Sequence, residues 1–267
     1  MDKSAIKDLF EKIKYDSPLV HHITNNVTIN DCANATLAIG GSPVMATSIE
    51  EVADMVSLAD ALVINFGTID TQTFQAMIAA SKAANKKGIP VIFDPVGVGA
   101  TPFRTERAKE FLHKVNVSIV RGNATEVYAL IGGNAQTRGV DSGEIPISKE
   151  ELALKVCKDL QTIIVISGEL DVISNGEEIV KIVNGDIWLT KVTGTGCMTN
   201  SLIGCFSGIT NDLFSAAIAG MSVMSLAGER AKTSLAENDG IGTFKVRLMD
   251  EISLIDSKIW EEGVRFA

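Results

Sequence analysis

Cysteine, histidine and runs of positive charge are all scarce in this 267-residue sequence, and each scarcity removes a class of function. The four cysteines, Cys32, Cys157, Cys197 and Cys205, form no Cys-x-x-Cys pair and have no histidine-rich segment beside them. That spacing argues against structural zinc and against a disulfide framework. No Lys/Arg run is longer than the pair Lys86-Lys87, and 33 acidic residues against 24 basic ones leave a formal charge of −9. A surface of that sign repels phosphate backbones, so no nucleic-acid partner is expected. No run of about 18 apolar residues is present to span a bilayer, although mean hydropathy is positive at +0.22. Met1 to Lys14 alternates in charge and lacks a cleavable apolar core. No signal peptide, no membrane association and a cytoplasmic location are therefore expected.

What is abundant is apolar residue, 46% of the chain. That suffices for one large α/β domain over 1–267, and the surplus suits a deeply buried sheet or subunit interfaces. Leu62-Val63-Ile64, Val91-Ile92-Phe93, Val117 to Val120 and Thr162 to Ile166 read as strands covered on both faces, because they lack strict alternation. Helical patterns lie between them. Ser48-Ile49-Glu50-Glu51 and Ser148-Lys149-Glu150-Glu151 have the capping-box form, predicting helices to about Ala59 and Leu160. Thr71 to Lys87 is a third helix, stopped by Gly88. Alternation of this kind predicts a mostly parallel sheet between two layers of helices. Asn175-Gly176 separates Asp171–Ser174 from Ile179–Val183, a hairpin signal, and Ile187 to Thr190 reads as a further strand. A few antiparallel strands are thus expected on that sheet. Asp212 to Lys232, rich in Ala, Met and Ser, predicts a buried helix.

In open α/β sheets the ligand crevice lies beyond the carboxyl ends of the strands. After Val20–Ile23 come Thr24, Asn25 and Asn26; after Leu62–Ile64, Asn65, Phe66 and Gly67; after Val91–Phe93, Asp94-Pro95-Val96-Gly97. Arg121, Gly122, Asn123 and Glu126 follow the next strand, and Ser167, Gly168 and Glu169 the one after. One polar tail is uninformative; five on one edge describe a site. Val192-Thr193-Gly194-Thr195-Gly196-Cys197 precedes a helical pattern from Met198 to about Phe206. Such a loop turns N–H groups toward one point at the positive end of a helix dipole, which suits a phosphoryl group; a plain glycine-rich turn would read the same. Asp94 and Glu126 have the hard oxygen ligands Mg²⁺ takes, although each also reads as a cap or first-turn acid. Arg121 can clamp phosphate oxygens or form a surface ion pair. Gly97-Val98-Gly99 lacks the third glycine and the helix of a dinucleotide fingerprint. His21 and His22 adjoin the first tail, and adjacent strand residues point to opposite faces, so at least one is turned from the site.

Taken together, His22-Ile23-Thr24-Asn25-Asn26-Val27, Gly41-Ser42-Pro43-Val44-Met45, Asn65-Phe66-Gly67-Thr68, Asp94 to Ala100, Arg121 to Glu126, Ser167 to Asp171, Val192 to Cys197 and Gly242-Thr243-Phe244 resemble the hydroxyethylthiazole kinase family, within the ribokinase-like superfamily. The resemblance runs in order over roughly Pro18 to Phe244 and implies a three-layer αβα ribokinase-like fold. It implies transfer of the ATP γ-phosphate to 4-methyl-5-(2-hydroxyethyl)thiazole, a salvage step toward thiamine, with Mg²⁺ as cofactor. It also implies a homotrimer with active sites at subunit interfaces, Met45 reaching the thiazole of the neighbouring subunit. On the same likeness Asn25, Gly67 and Gly194 lie near the substrate, and Arg121, Ser167 and Gly168 on the ATP side. Asp94 and Glu126 would serve the metal, and Gly194, Thr195, Gly196 and Cys197 the transfer itself. Two departures are visible: Ser167 stands where many members have Thr, and Ile241 where Pro is common.

Most ribokinase-like enzymes place an aspartate base where this chain has Cys197. A thiol with a pKa of about 8.5 is only slightly ionised at neutral pH, so Cys197 is expected to be a weak or dispensable base. Hydroxymethylpyrimidine and pyridoxal kinases and nicotinamide-nucleotide repair dehydratases normally keep the aspartate, which sets them behind the thiazole reading. A non-catalytic nucleotide-binding module on the same scaffold is the alternative of another class.

Overall fold

The computed structural model describes residues 2–133 and 145–267. Eight strands form one sheet: β1 (Leu19–Ile23), β2 (Ser42–Val44), β3 (Ala61–Asn65), β4 (Val91–Asp94), β5 (Ile119–Asn123), β6 (Ile163–Ser167), β7 (Asp171–Ser174) and β8 (Ile179–Ile182). Their order is β2-β1-β3-β4-β5-β6-β7-β8, parallel from β2 to β6 and antiparallel for β7 and β8. Eleven helices flank it among the described residues: α1 (Lys3–Asp16), α2 (Ile29–Ile39), α3 (Val52–Leu58), α4 (Thr71–Lys87), α5 (Pro102–Lys114), α6 (Ala124–Leu130), α7 (Lys149–Leu160), α8 (Thr195–Ser207), α9 (Leu213–Thr233), α10 (Ile241–Leu254) and α11 (Ser257–Gly263).

The period of two along each strand sorts its apolar residues into two cores. Ala61 and Val63 pack with α1, α2, α8, α9, α10 and α11. Leu62 and Ile64 pack with α3 to α7 on the other face. Both faces of the central strands are covered, which is why they read as continuous apolar runs. Handedness explains the layering. The connection from β1 to β2 runs toward one edge and those from β2 to β6 run toward the other. Right-handed crossovers therefore put α2 on one face and α3 to α7 on the opposite one. The crossover directions diverge between β1 and β3, which opens a crevice at their carboxyl ends.

Several local expectations hold. Ser148 accepts from the Glu151 N–H while Glu151 receives the Ser148 N–H, closing a capping box at α7. Gly88 adopts a left-handed φ of 83° at the end of α4. Asn175 accepts from the Glu177 and Glu178 N–H groups in the β7–β8 turn.

Three do not. Ser48 does not cap a helix: its hydroxyl is turned to the adjacent Glu50 carboxylate, and α3 starts only at Val52, behind Glu51. Ile187–Thr190 is not a strand. Asp186 accepts from the Trp188 N–H and winds Ile187–Lys191 into a 3₁₀ turn, while the edge of β8 is met by a bridge from Phe266. The third concerns α8, which begins at Thr195 and not near Met198, so the glycine loop is itself the helix's first turn. Among the described residues no helix is long and apolar enough to cross a membrane.

Candidate active site

The five strand tails do converge, and they converge on the first turn of α8. Gly194 occupies the N-cap with a φ of 96°, left-handed backbone that glycine adopts without strain. A Cβ there would also lie 2.8 Å from Thr28 Cγ2. The N–H groups of this first turn have no intrahelical carbonyl to bond, and the helix dipole adds positive potential. The Thr195 hydroxyl is engaged elsewhere, donating to the Leu189 carbonyl at 3.0 Å.

Cys197 lies in the same turn. Its Sγ accepts from Asn25 Nδ2 at 3.2 Å and from Asn65 Nδ2 at 3.3 Å. Burial, and the Asp94 carboxylate beside it, push the thiol above its ordinary pKa despite those donors. Asp94 ends β4 and is 2% exposed. Its Oδ2 accepts from Asn65 Nδ2 and Asn200 Nδ2, each at 2.8 Å. Burial raises its pKa to about 7, opposed by Arg121 and reinforced by Glu126.

Glu126 serves two purposes. It completes a capping box with Asn123, receiving the Asn123 N–H at 2.9 Å, and its other oxygen receives the Gly97 N–H at 2.8 Å. Its carboxyl is also pushed up by burial. Among the described residues no group of three or more His, Cys, Asp or Glu could hold a metal alone. Two carboxylates do fit Mg²⁺ delivered with a triphosphate, because that ion keeps waters and phosphate oxygens as its other ligands. The Glu126 charge that raises Asp94 is the repulsion a cation would relieve.

Arg121 leaves β5 toward the same place. Nη2 donates to Ser167 Oγ at 2.7 Å, and Nη1 packs so closely over Gly196 that a Cβ there would overlap it. Gly168, next in the β6 tail, donates its N–H to Asp171 Oδ1 at 3.0 Å. Met45 follows the edge strand β2 half-buried, outside this hydrogen-bonded cluster. Gly67 donates its N–H to Asn65 Oδ1 at 2.8 Å, on the crevice between β1 and β3. Both histidines are structural: His21 Nε2 meets the Ala46 carbonyl, and His22 bridges Val20 O and Ser201 Oγ. Burial lowers His22 to about 4, so it is neutral. A groove of about 700 Å³, lined by Lys12, Asp60, Lys87 and Asp212, lies at the amino ends of β1, β3 and β4, away from these residues.

Three participants had no role assigned from sequence, and two of them, Asn200 and Arg104, carried no sequence signal of their own. Asn65 is the last residue of β3, paired in register with Asp94. Asn200 lies one turn beyond Cys197 and reaches both Asp94 and the Gly196 carbonyl. Arg104, in α5, donates to the carbonyls of Phe66, Val96 and Gly67, tying the β3 tail to the β4 tail. Asn65 was legible as the first residue of the tail after Leu62–Ile64; nothing in sequence marks Asn200 or Arg104.

The chain as a whole has known relatives. Residues 10–258 match the model of the hydroxyethylthiazole kinase family. The chain is 45% identical over 263 residues to hydroxyethylthiazole kinase of Ruminiclostridium cellulolyticum, covering 97% of this chain and 96% of that one. It is 47% identical to the hydroxyethylthiazole kinase of Alkaliphilus oremlandii over 255 residues, 95% and 94% of the two chains. Its fold superposes on the solved structure of hydroxyethylthiazole kinase protein from Pyrococcus horikoshii OT3 with a TM-score of 0.88 and 33% identity, over 99% and 98% of the chains. With a family match across most of its length and the ribokinase-like αβα architecture, this chain belongs to the hydroxyethylthiazole kinase family.

Proposed function

We infer that this chain is an ATP-dependent kinase of the hydroxyethyl group of 4-methyl-5-(2-hydroxyethyl)thiazole, a step in thiamine salvage. The observation that carries the reading is Cys197. A thiol held by two amides stands in the first turn of α8, beside a buried carboxylate and the amides that suit a transferring phosphoryl. Phosphoryl transfer needs positioning and neutralisation of charge more than covalent chemistry. In this reading Arg121, Ser167 and Gly168 hold the nucleotide. The first-turn amides of Gly194, Thr195, Gly196 and Cys197 face the charge that develops on the γ-phosphoryl oxygens. Asp94 and Glu126 hold Mg²⁺, which when bound neutralises charge on the triphosphate. Asn25, Gly67 and Gly194 line the thiazole side.

The hydroxyl proton leaves late in a loose transition state, so a strong base is not required. Cys197, its pKa raised, acts as a weak acceptor or none. The single kinase domain of 1–267 works as a homotrimer, Met45 closing the neighbouring subunit's thiazole site. Exposed Val27, Leu37, Ile241 and Val246 support an apolar interface of that kind. ATP use and four free cysteines suit a cytoplasmic setting.

The test is a coupled ADP-release assay with ATP, Mg²⁺ and the thiazole alcohol, run beside hydroxymethylpyrimidine and pyridoxal. Thiazole-dependent ADP release well above the other two is expected. Its absence overturns the reading. Sedimentation velocity tests the trimer separately.

A further inference from the structure

We propose that Asn65 is the positioning residue of this site, fixing the carboxylate on the metal side, the thiol on the alcohol side and the thiazole loop relative to one another; the assignment rests on the kinase reading above. Asn65 is 1% exposed, and every hydrogen-bonding position of its amide is used inside the site. Oδ1 accepts from Gly67 N at 2.8 Å and from Asn25 Nδ2 at 2.9 Å. Nδ2 divides its two hydrogens between Asp94 Oδ2 at 2.8 Å and Cys197 Sγ at 3.3 Å. The orientation is not arbitrary. A backbone N–H can only donate, so the Gly67 N–H fixes which end of the amide is oxygen, and the NH₂ must face Asp94 and Cys197.

Four partners from four segments thus meet at one side chain: Asn25 beyond β1, Gly67 beyond β3, Asp94 at the end of β4 and Cys197 in α8. Asn200 duplicates part of the hold on Asp94 but touches neither the thiol nor the thiazole loop. The two ends of the Asn65 amide therefore have separable tasks. The NH₂ end sets the reacting groups, and the oxygen end sets the substrate loop.

Two substitutions separate them. Asn65→Asp keeps the acceptor for Gly67 and Asn25 but removes both donors. Asn65→Ala removes everything and, being smaller and uncharged, does not depend on burying a second carboxylate. For Asn65→Asp, kcat is expected to fall by about 30-fold or more, as misplacement by a fraction of an ångström does, with the KM for the thiazole alcohol within about threefold. Asn65→Ala should lose kcat similarly and also weaken thiazole binding, measured by calorimetry without ATP, by about tenfold. Hydrogen exchange in the substrate-free proteins provides a readout independent of turnover: Gly67 should lose protection in Asn65→Ala and keep it in Asn65→Asp. Wild-type kcat in Asn65→Asp, equal loss of thiazole affinity in both variants, or unchanged exchange at Gly67 in Asn65→Ala each overturns the proposal. Failure of the kinase reading would show instead in the wild-type enzyme's ADP release, and the exchange comparison would still judge Asn65.

Discussion

The Arg121 guanidinium occupies the space that any side chain at position 196 would need. The first turn of α8 and Arg121 are therefore packed as one unit, with the Ser167 hydroxyl accepting from the guanidinium. Gly196→Ala tests that unit. Alanine is intrinsically better in a helix by about 1 kcal/mol, so thermal stability should change little. The displaced arginine should raise the KM for ATP about tenfold or more, some 1.4 kcal/mol. Unchanged ATP kinetics in the variant would separate Arg121 from nucleotide binding.

Cys197→Ala should keep measurable turnover, since the first-turn amides and the carboxylates remain. Cys197→Asp should keep or raise the rate, because Asn25 and Asn65 already present two N–H donors to that position. The measurement is kcat with both substrates saturating. A drop of about a thousandfold in Cys197→Ala with binding intact, roughly 4 kcal/mol, would make the thiol an essential base.

Arg104 is tested by stability and activity together. Arg104→Met leaves three backbone carbonyls of the β3 and β4 tails without their donor. A loss of about 2 to 4 kcal/mol in urea unfolding is expected, together with a higher KM for the thiazole alcohol through the Gly67 loop. Lysine reaches one such carbonyl in place of three, so Arg104→Lys should recover only part of the loss. Full recovery by lysine would show that charge alone matters.

Asp171 gives a pH dependence away from the reacting groups. Burial raises its pKa to about 6 from an ordinary 3.8, against the hydrogen bonds from Ser225 and Gly168 and the charges of Arg121 and Lys149. Between those two values the folded state holds the proton that the unfolded state has released, so stability falls as pH rises through the window. Above about 6 the cost is fully present. Asp171→Asn removes this slope. Its Tm relative to wild type should therefore rise from pH 4 to pH 7, and a difference that is flat or of opposite sign would contradict the assignment.

Much of this site could be read from the chain because parallel strands deliver their carboxyl ends to one edge. Asp94 and Ser167 end β4 and β6 and Arg121 lies two residues before the end of β5, so listing strand tails found them. The Asn175-Gly176 turn was equally local. Ser48 failed because a capping box needs a helix wound at once, and here its hydroxyl bonds Glu50 while the turn delays α3. Ile187–Thr190 failed because Asp186 supplies a cap that apolar content does not register. Asn200 and Arg104 were invisible for a different reason. Asn200 meets Asp94 across 106 residues of sequence and Arg104 meets Phe66 across 38, contacts that depend on how layers pack and not on any local pattern.

The long helix α9 touches none of the reacting groups, yet it governs where α8 can lie. It is buried all round from Ser215 to Gly228, small residues alternating with Ile218, Met221, Val223, Met224 and Leu226, and a Cβ at Gly220 would come within 2.5 Å of the Ile203 amide nitrogen in α8. Mutational tolerance should follow this packing and not distance from substrate. In a saturation library, enlargements along α9 should be purged as strictly as changes to the strand tails. The exposed positions of α2 and α10 should accept variation freely unless a neighbouring subunit covers them. A tolerance map of that shape would mark the assembly contacts by the surface positions that resist change.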